Sequence, residues 1–274
     1  MNISTEKINF FDLIGERLKN FFFLMKEGYK LRDKMIILEY HLKAPAQLLN
    51  YFMKRTNSRK LIGDVFIKNR YGLFFCGNNF SSIFGVCSIC EPVVRKEVVL
   101  DKGIAIDIGS NCGMYTIPLA RMLKNKGKVI SIEPEKKNIK LLKKNVSLNR
   151  LKNVIVIDKG CFSKKRKMTF YLDNFGTGGH SLLKRKGAKK EIIPVDTLDN
   201  ILKSLKINHV DLIKVDVMGV ELETFKGAKK ILKKSHPKII FELLNKEDKE
   251  KVYKFLSQYN YKIKQITEWN HLAV

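Results

Sequence analysis

The stretch "GIAIDIGSNCGMYT", Gly103 to Thr116, decides how this chain folds. A strand-like apolar run reaches Asp107, and Gly109 and Gly113 then bracket the turn Ser110-Asn111-Cys112. Glycines let a chain reverse tightly, and they also let backbone approach a ligand at the carboxyl end of a strand. The turn by itself does not choose between these uses; its surroundings narrow the choice. "IAIDIG" precedes a helix over 113–125, "KVISIE" a helix over 135–149, and "NVIVID" a polar, Gly-rich region. "KKEIIPV" leads into the short helix "TLDNILKSL", "VDLIKVDV" into a helix over 220–234, and "PKIIFEL" into a helix over 246–258, before "YKIKQIT" ends the pattern. Short Val/Ile runs joined by single helices predict right-handed crossovers. The expected fold class is α/β: a doubly wound, mostly parallel, seven-stranded Rossmann-like sheet over residues 101–274.

Upstream, residues 1–60 read as an N-terminal helical cap, with Phe10, Leu13, Ile14, Phe21 and Leu24 at helical spacings and a break near Pro45. Residues 61–100 read as a small hairpin and a helix leading into the core. In "DVFIKNRYGLFFC", Asn69 and Gly72 suit the hairpin turn, and Pro92 suits the first turn of the helix.

A chain of 274 residues with 45% hydrophobic content can bury a full core. Its formal charge of +26 raises nucleic acid, an anionic membrane face or a phosphorylated substrate as partners. Lysine, however, is spread through nearly every segment, whereas nucleic-acid readers concentrate charge and rely on arginine. Compositional bias is the favoured explanation, and nucleic acid stays the less favoured partner. No apolar run nears the roughly 18 residues of a membrane-spanning helix, and "FFFLM" is broken at once by Lys26 and Glu27. The first residues lack a signal-peptide pattern, so the expected compartment is cytoplasmic. Cys76, Cys87, Cys90, Cys112 and Cys161 offer one Cys-x-x-Cys pair without a second at zinc-site spacing. Free thiols and no metal site are expected.

The strand ends carry the chemistry. Neither the Gly-x-Gly-x-x-Gly fingerprint nor a P-loop is present, which disfavours an oxidoreductase and any ligand held chiefly by phosphates. Glu133 ends the strand after the Gly-rich turn, where an acid accepts both hydroxyls of a ribose. Asp158 to Cys161 end the next strand, where an adenine edge would lie.

Together these pieces resemble the class I S-adenosylmethionine-dependent methyltransferases, and within them the FkbM-type family. "AIDIGSNCGMYT" looks like that family's first motif. "IIPVDTLDNIL", "VDLIKVDVMGVELETFKGA" and "PKIIFE" resemble its later signature, in one continuous order over roughly residues 64–262. The resemblance implies S-adenosyl-L-methionine as cofactor, held by Asp107, Gly109, Asn111, Gly113 and Glu133. Ser110, Tyr115, Pro134, Asp158 and Lys159 complete the candidate cofactor set. It also implies O-methylation of a hydroxyl on a sugar, glycan or other small molecule. An RNA methyltransferase and a cofactor-binding protein with lapsed catalysis are the alternatives. The family's usual Asp-x-Glu-Gly-x-Glu reads "DVMGVE" here, which keeps Asp216, Gly219 and Glu221 and puts Met218 where the first Glu would sit. A hydroxyl acceptor must lose a proton, so a carboxylate or histidine should lie beside it. Asp216 is the first candidate base, followed by Glu221 and by His180 in the Gly-rich loop "NFGTGGHSLL".

Overall fold

The computed structural model describes residues 10–43, 60–172, 179–184 and 187–274. The expected break near Pro45 and parts of the loop around His180 lie outside these residues. The chain divides into two compact units, Met1–Cys90 and Glu91–Val274. The division falls between the hairpin and the Pro92 helix, which the sequence reading had grouped in one linking segment.

The first unit contains α1 (Phe10–Glu27), α2 (Leu31–Leu42), β1 (Lys60–Asn69), β2 (Gly72–Asn79) and α3 (Phe80–Val86). β1 and β2 pair antiparallel with Asn69 opposite Gly72, so the hairpin turn is Arg70-Tyr71. Asn69 fixes it by accepting the Tyr71 N–H at 3.0 Å. Two buried acids join helix to hairpin. Asp33 accepts the Phe66 N–H at 3.0 Å, and Glu27 accepts from Asn69 Nδ2 and the Ser88 N–H, each at 3.1 Å.

The second unit runs α4 (Pro92–Glu97), β3 (Gly103–Ile108), α5 (Thr116–Leu123), β4 (Gly127–Ile132), α6 (Lys136–Leu148) and β5 (Val154–Ile157). Then come β6 (Gly160–Cys161), β7 (Arg166–Leu172), β8 (Lys189–Asp196), α7 (Leu198–Ser204) and β9 (Leu212–Val215). It ends with α8 (Glu221–Lys226), α9 (Lys229–Ser235), β10 (Lys238–Glu242), α10 (Lys246–Ser257), β11 (Ile263–Gln265) and β12 (Asn270–Ala273). The seven-stranded sheet has the order β11-β12-β10-β9-β3-β4-β5. Neighbours from β10 to β5 pair parallel, while β12 runs antiparallel to both β10 and β11.

Three expectations change. "KKEIIPV" is not in the main sheet; as β8 it joins β6 and β7 in a separate three-stranded sheet. Its burial follows the face, with Lys190, Ile192 and Pro194 outward and Ile193 and Val195 inward, whereas all of β9 is buried. A strand with one solvated face does not belong in the middle of a doubly wound sheet. The seventh strand is instead β12, whose Asn270-His271 start hides it from an apolar-run search. The helix expected over 220–234 is two helices. Gly227 separates them because a Cβ there would overlap the Phe162 carbonyl oxygen.

Alternation along the central strands sorts the two faces of the main sheet. Ile106, Ile108, Ile130, Ile132, Ile213, Val215, Ile239 and Phe241 share one core with residues of α7, α8, α9 and α10. Ala105, Val129, Leu212 and Ile240 face the opposite way, into a core with Val94, Leu119 and Leu123. Strand order reverses between β3 and β9, and their carboxyl ends meet there. The Asp216 N–H donates to the Ile108 carbonyl at 2.9 Å, and a Cβ on Gly109 would overlap the Asp216 carbonyl oxygen. Gly109 also has φ +82°. Gly109→Ala should therefore cost roughly 2–5 kcal/mol in urea unfolding, from left-handed strain plus overpacking. Gly187→Ala is the control: its φ is +75° but a Cβ meets no atom within 4 Å, so only the strain remains, roughly 1 kcal/mol. Equal losses at the two positions would refute the close-approach account.

Candidate functional site

The turn after β3 is built from backbone. The N–H groups of Gly109 and Ser110 both donate to the Ile132 carbonyl, at 2.9 and 3.2 Å, which draws the turn onto the end of β4. The Ser110 hydroxyl donates back to the Asp107 carbonyl at 2.7 Å. Asn111 has φ +50° and Gly113 φ +98°, so left-handed residues recur through the turn. A Cβ on Gly113 would press on Leu142 and Ile117 at 3.0–3.1 Å, and Asn145 Nδ2 donates to the Cys112 carbonyl at 2.8 Å. Those contacts hold α6 against the turn.

Glu133 is buried at the end of β4 and organises what lies beside it. Its Oε2 accepts the Asn111 N–H at 2.8 Å, and Oε1 accepts the Glu135 N–H at 2.9 Å. Asn138 Nδ2 also donates to Oε1, at 3.4 Å, so with about two lone-pair sites per carboxylate oxygen the spare acceptor site is on Oε2. Burial pushes its pKa up to about 7 against these hydrogen bonds. Asn111 Oδ1 lies buried without a hydrogen-bond partner. Pro134 is half-buried. Asp158 is exposed and ion-paired with Lys143 at 3.2 Å, and Lys159 pairs with Asp196 at 3.2 Å. The turn, Glu133, Asn111 and Pro134 thus adjoin the ends of β3 and β4, with Asp158 and Lys159 following β5.

Asp107 and Tyr115 lie elsewhere than the turn's outer edge. Asp107 is buried on the α5 side of the sheet, where Thr116 Oγ1 donates to its carboxylate at 2.6 Å and sits 2.7 Å from the Ser131 hydroxyl. Burial pushes its pKa up to about 6, offset in part by the Thr116 hydroxyl and the Lys214 charge. The Tyr115 hydroxyl donates to Glu91, and its ring lies between two cations, Arg95 at 5.7 Å and Lys214 Nζ at 5.3 Å from the centroid.

Lys214 is the residue that the sequence reading overlooked. It is fully buried, in β9, directly opposite Asp107 of β3. Its ammonium lies 3.8 Å from Asp216 and makes no hydrogen bond. The charges of Asp216, Glu91, Glu242 and Asp107 raise its pKa against the opposing effect of burial. Glu242, at the end of β10, follows Phe241, which is registered opposite Val215, and so stands beside Asp216; burial and the Asp216 charge push its pKa up to about 8. The signal was present in "DLIKVD": an ionisable residue inside a run otherwise fit for a buried parallel strand.

The turn after β9 places the remaining candidates. Asp216 is half-buried, with Oδ1 unpartnered. Met218 and Gly219 both take left-handed φ, +55° and +99°. Glu221, buried at the start of α8, accepts the Gly219 N–H at 2.9 Å and closes this turn. Ser181 donates to the Met218 carbonyl at 2.7 Å, and a Cβ on Gly219 would strike Leu183, so residues 181–183 cover the turn. His180 packs edge-on to Phe170 at 6.0 Å. The candidate base set therefore divides: Asp216 meets Lys214 and Glu242, while Glu221 holds the turn.

A sheet of this order, with a Gly-rich turn and an acid at its switch point, defines the class I methyltransferase fold. The model for the methyltransferase FkbM domain matches residues 107–263, and the chain belongs to that family. Among curated proteins, the chain is 29% identical over 136 residues to one from Sulfurisphaera tokodaii, covering 46% of this chain and 71% of the relative. A second, from Sulfolobus acidocaldarius, is 29% identical over 116 residues, covering 42% of this chain and 54% of the relative. Both are described as probable cobalt-precorrin-6B C(15)-methyltransferase (decarboxylating). Among solved structures, methyltransferase FkbM from Methylobacillus flagellatus KT gives a TM-score of 0.49 at 14% identity. That match covers 95% of this chain and 60% of the other.

Burial pushes the Glu221 pKa up from 4.5 to about 7. The folded state thus favours the protonated form: the contribution to stability is full below the unfolded pKa and is lost as pH rises through the folded one. Glu221→Gln keeps an oxygen for the Gly219 N–H and cannot ionise. Relative to the wild type, it should gain stability between about pH 5 and about pH 8, by at most about 3 kcal/mol. Thermal unfolding at the two pH values checks this, and an equal offset at both would refute it.

Proposed function

We propose that the protein transfers a methyl group from S-adenosylmethionine to a hydroxyl of a sugar, glycan or other small molecule. The cofactor would supply a methyl on a positively charged sulfur. The observation that carries this reading is the pairing of two devices at one switch point. On one side, the Gly109–Gly113 turn, the spare acceptor capacity of Glu133 and the unpartnered Asn111 Oδ1 fit an adenosine ribose. On the other, Asp216 and the neighbouring Glu242 offer carboxyl groups for a hydroxyl's proton. The two relatives are described as methylating at C(15), with decarboxylation. A hydroxyl acceptor, in contrast, gives the acids beside Lys214 a proton to receive, which favours oxygen here.

Calorimetric titration with S-adenosylmethionine and S-adenosylhomocysteine tests the first device. Both should bind the wild type, and Glu133→Ala should lose most of the affinity while staying folded. Unchanged affinity would refute the ribose assignment. A panel of glycosides and sugar alcohols with methyl-labelled S-adenosylmethionine tests the second. Asp216→Asn should cut turnover by roughly two to four orders of magnitude with cofactor affinity little changed. A wild type that binds cofactor yet labels nothing, with label transfer restored in Met218→Glu, would replace this reading by lapsed catalysis.

A further inference from the structure

The face of the sheet toward α5 changes character at its carboxyl edge. Moving along the strands, Ala105, Val129, Leu212 and Ile240 give way, one pleat further on, to Asp107, Ser131, Lys214 and Glu242. Register places Ser131, Asp107 and Lys214 in one row across β4, β3 and β9. Four of these neighbouring groups are ionisable once Asp216 is included, and two polar atoms among them, Lys214 Nζ and Asp216 Oδ1, are buried without a hydrogen bond. Burying an ammonium with unspent donors is costly, so its position calls for a function.

We propose that Glu242 and Asp216 form a carboxyl pair that holds one proton between them and receives the acceptor's hydroxyl proton, and that Lys214 is the positioning residue that fixes the pair in that state. The assignment rests on the methyl-transfer reading above. Glu242 and Asp216 directly follow the registered pair Phe241 and Val215, so the two carboxyl groups are neighbours, and neighbouring carboxyl groups do not both ionise readily. The ammonium 3.8 Å from Asp216 opposes a second proton. In the reaction the acceptor oxygen bonds to the methyl carbon as the carbon–sulfur bond breaks, its electron pair passing to sulfur. The hydroxyl proton moves to Asp216, which is partly exposed and can return it to solvent.

The other charged groups around the pair are accounted for. From β3, Asp107 faces Lys214; from the start of α4, Glu91 raises the pKa of both Lys214 and Glu242. Arg95 of α4 lies over the Tyr115 ring, and Glu221 of α8 is within reach of the Asp216 charge. From β12, Asn270 stands opposite Glu242 and adds no charge.

Infrared titration of the full ligand-free chain reads the pair directly. A protonated-carboxyl band should disappear with a midpoint near pH 8, and that band should be missing in Glu242→Gln, which separates it from Asp107, Glu133 and Glu221. Lys214→Met should move the midpoint up by about one unit or more, and Asp216→Asn should move it down by about as much. If Lys214→Met fails to fold, the Asp216→Asn shift and the Glu242→Gln loss still decide. A titration without a band that Glu242→Gln removes, or midpoints unmoved in the folded variants, would overturn the pair. With an acceptor from the panel above, the rising limb of kcat against pH should move up in Lys214→Met, with affinity for S-adenosylhomocysteine unchanged. An unmoved limb would overturn the role of Lys214. Infrared shifts as expected in a wild type that binds no S-adenosylmethionine would uphold the pair and sink the methyl-transfer reading instead.

Discussion

An ammonium buried between a sheet and a helix forces its surroundings to be acidic. Lys214 sits in β9 with no exposure, and desolvation on that scale costs several kcal/mol per ion unless opposite charge is close. The fold meets this demand from four directions: Asp107 on β3, Asp216 after β9, Glu242 on β10 and Glu91 at the start of α4. The ring of Tyr115 closes a further side, with its hydroxyl committed to Glu91. The acids therefore constrain one another. Those near the ammonium gain from its charge, and the cost of crowding appears in Glu242, whose proton is retained to about pH 8.

The same strand ends set the geometry of the cofactor side. Gly109 touches the Asp216 carbonyl, so the turn after β3 and the turn after β9 share backbone contact across the switch point. The turn is anchored on Ile132, and its Asn111 N–H is received by Glu133, so the ends of β3, β4 and β9 form one linked surface. A change in the turn after β3 is felt at β4 and β9 because its contacts with the Ile132 and Asp216 carbonyls are made by main chain, which has no rotamer freedom to absorb it. Left-handed φ at Gly109, Asn111, Gly113, Met218 and Gly219 marks where the chain bends to make this surface. Non-glycine residues in that region are strained, and such strain collects at functional sites.

Much of the fold was legible because its strands are short apolar runs with punctuation at each end. β3, β4 and β9 stood out by their Val/Ile content, and α6 and α10 by helical spacing after a capping residue: Glu135 and Asn245 each accept a backbone N–H from the first turn. What escaped was set by partners distant in sequence. β8 has the composition of a core strand, yet it pairs with β6 and β7, and its alternate residues Lys190, Ile192 and Pro194 are exposed. β12 carries Asn270 and His271 into a buried position that no apolar-run search would choose, since pairing with β10 and stacking of His271 on Phe241 decide it. The single helix expected over 220–234 is divided at Gly227, where the Phe162 carbonyl comes against the backbone.

The sequence by itself determined the alternation of elements, the Gly-punctuated turn and the acids that end β4 and β10, because these follow from local backbone preference and burial period. Family membership was also legible there, from motifs kept in order along one continuous stretch. Tertiary structure alone decided which face each of those side chains occupies. It turned Asp107 toward Thr116, Tyr115 toward Glu91, and Glu221 onto the Gly219 N–H, and it joined Lys214 with Asp216 and Glu242. The reason is physical: Glu91 and Glu242 are about one hundred and fifty residues apart in the chain, and only the contact of Glu91 with Tyr115 together with the parallel register of β9 and β10 brings their charges to a common ammonium.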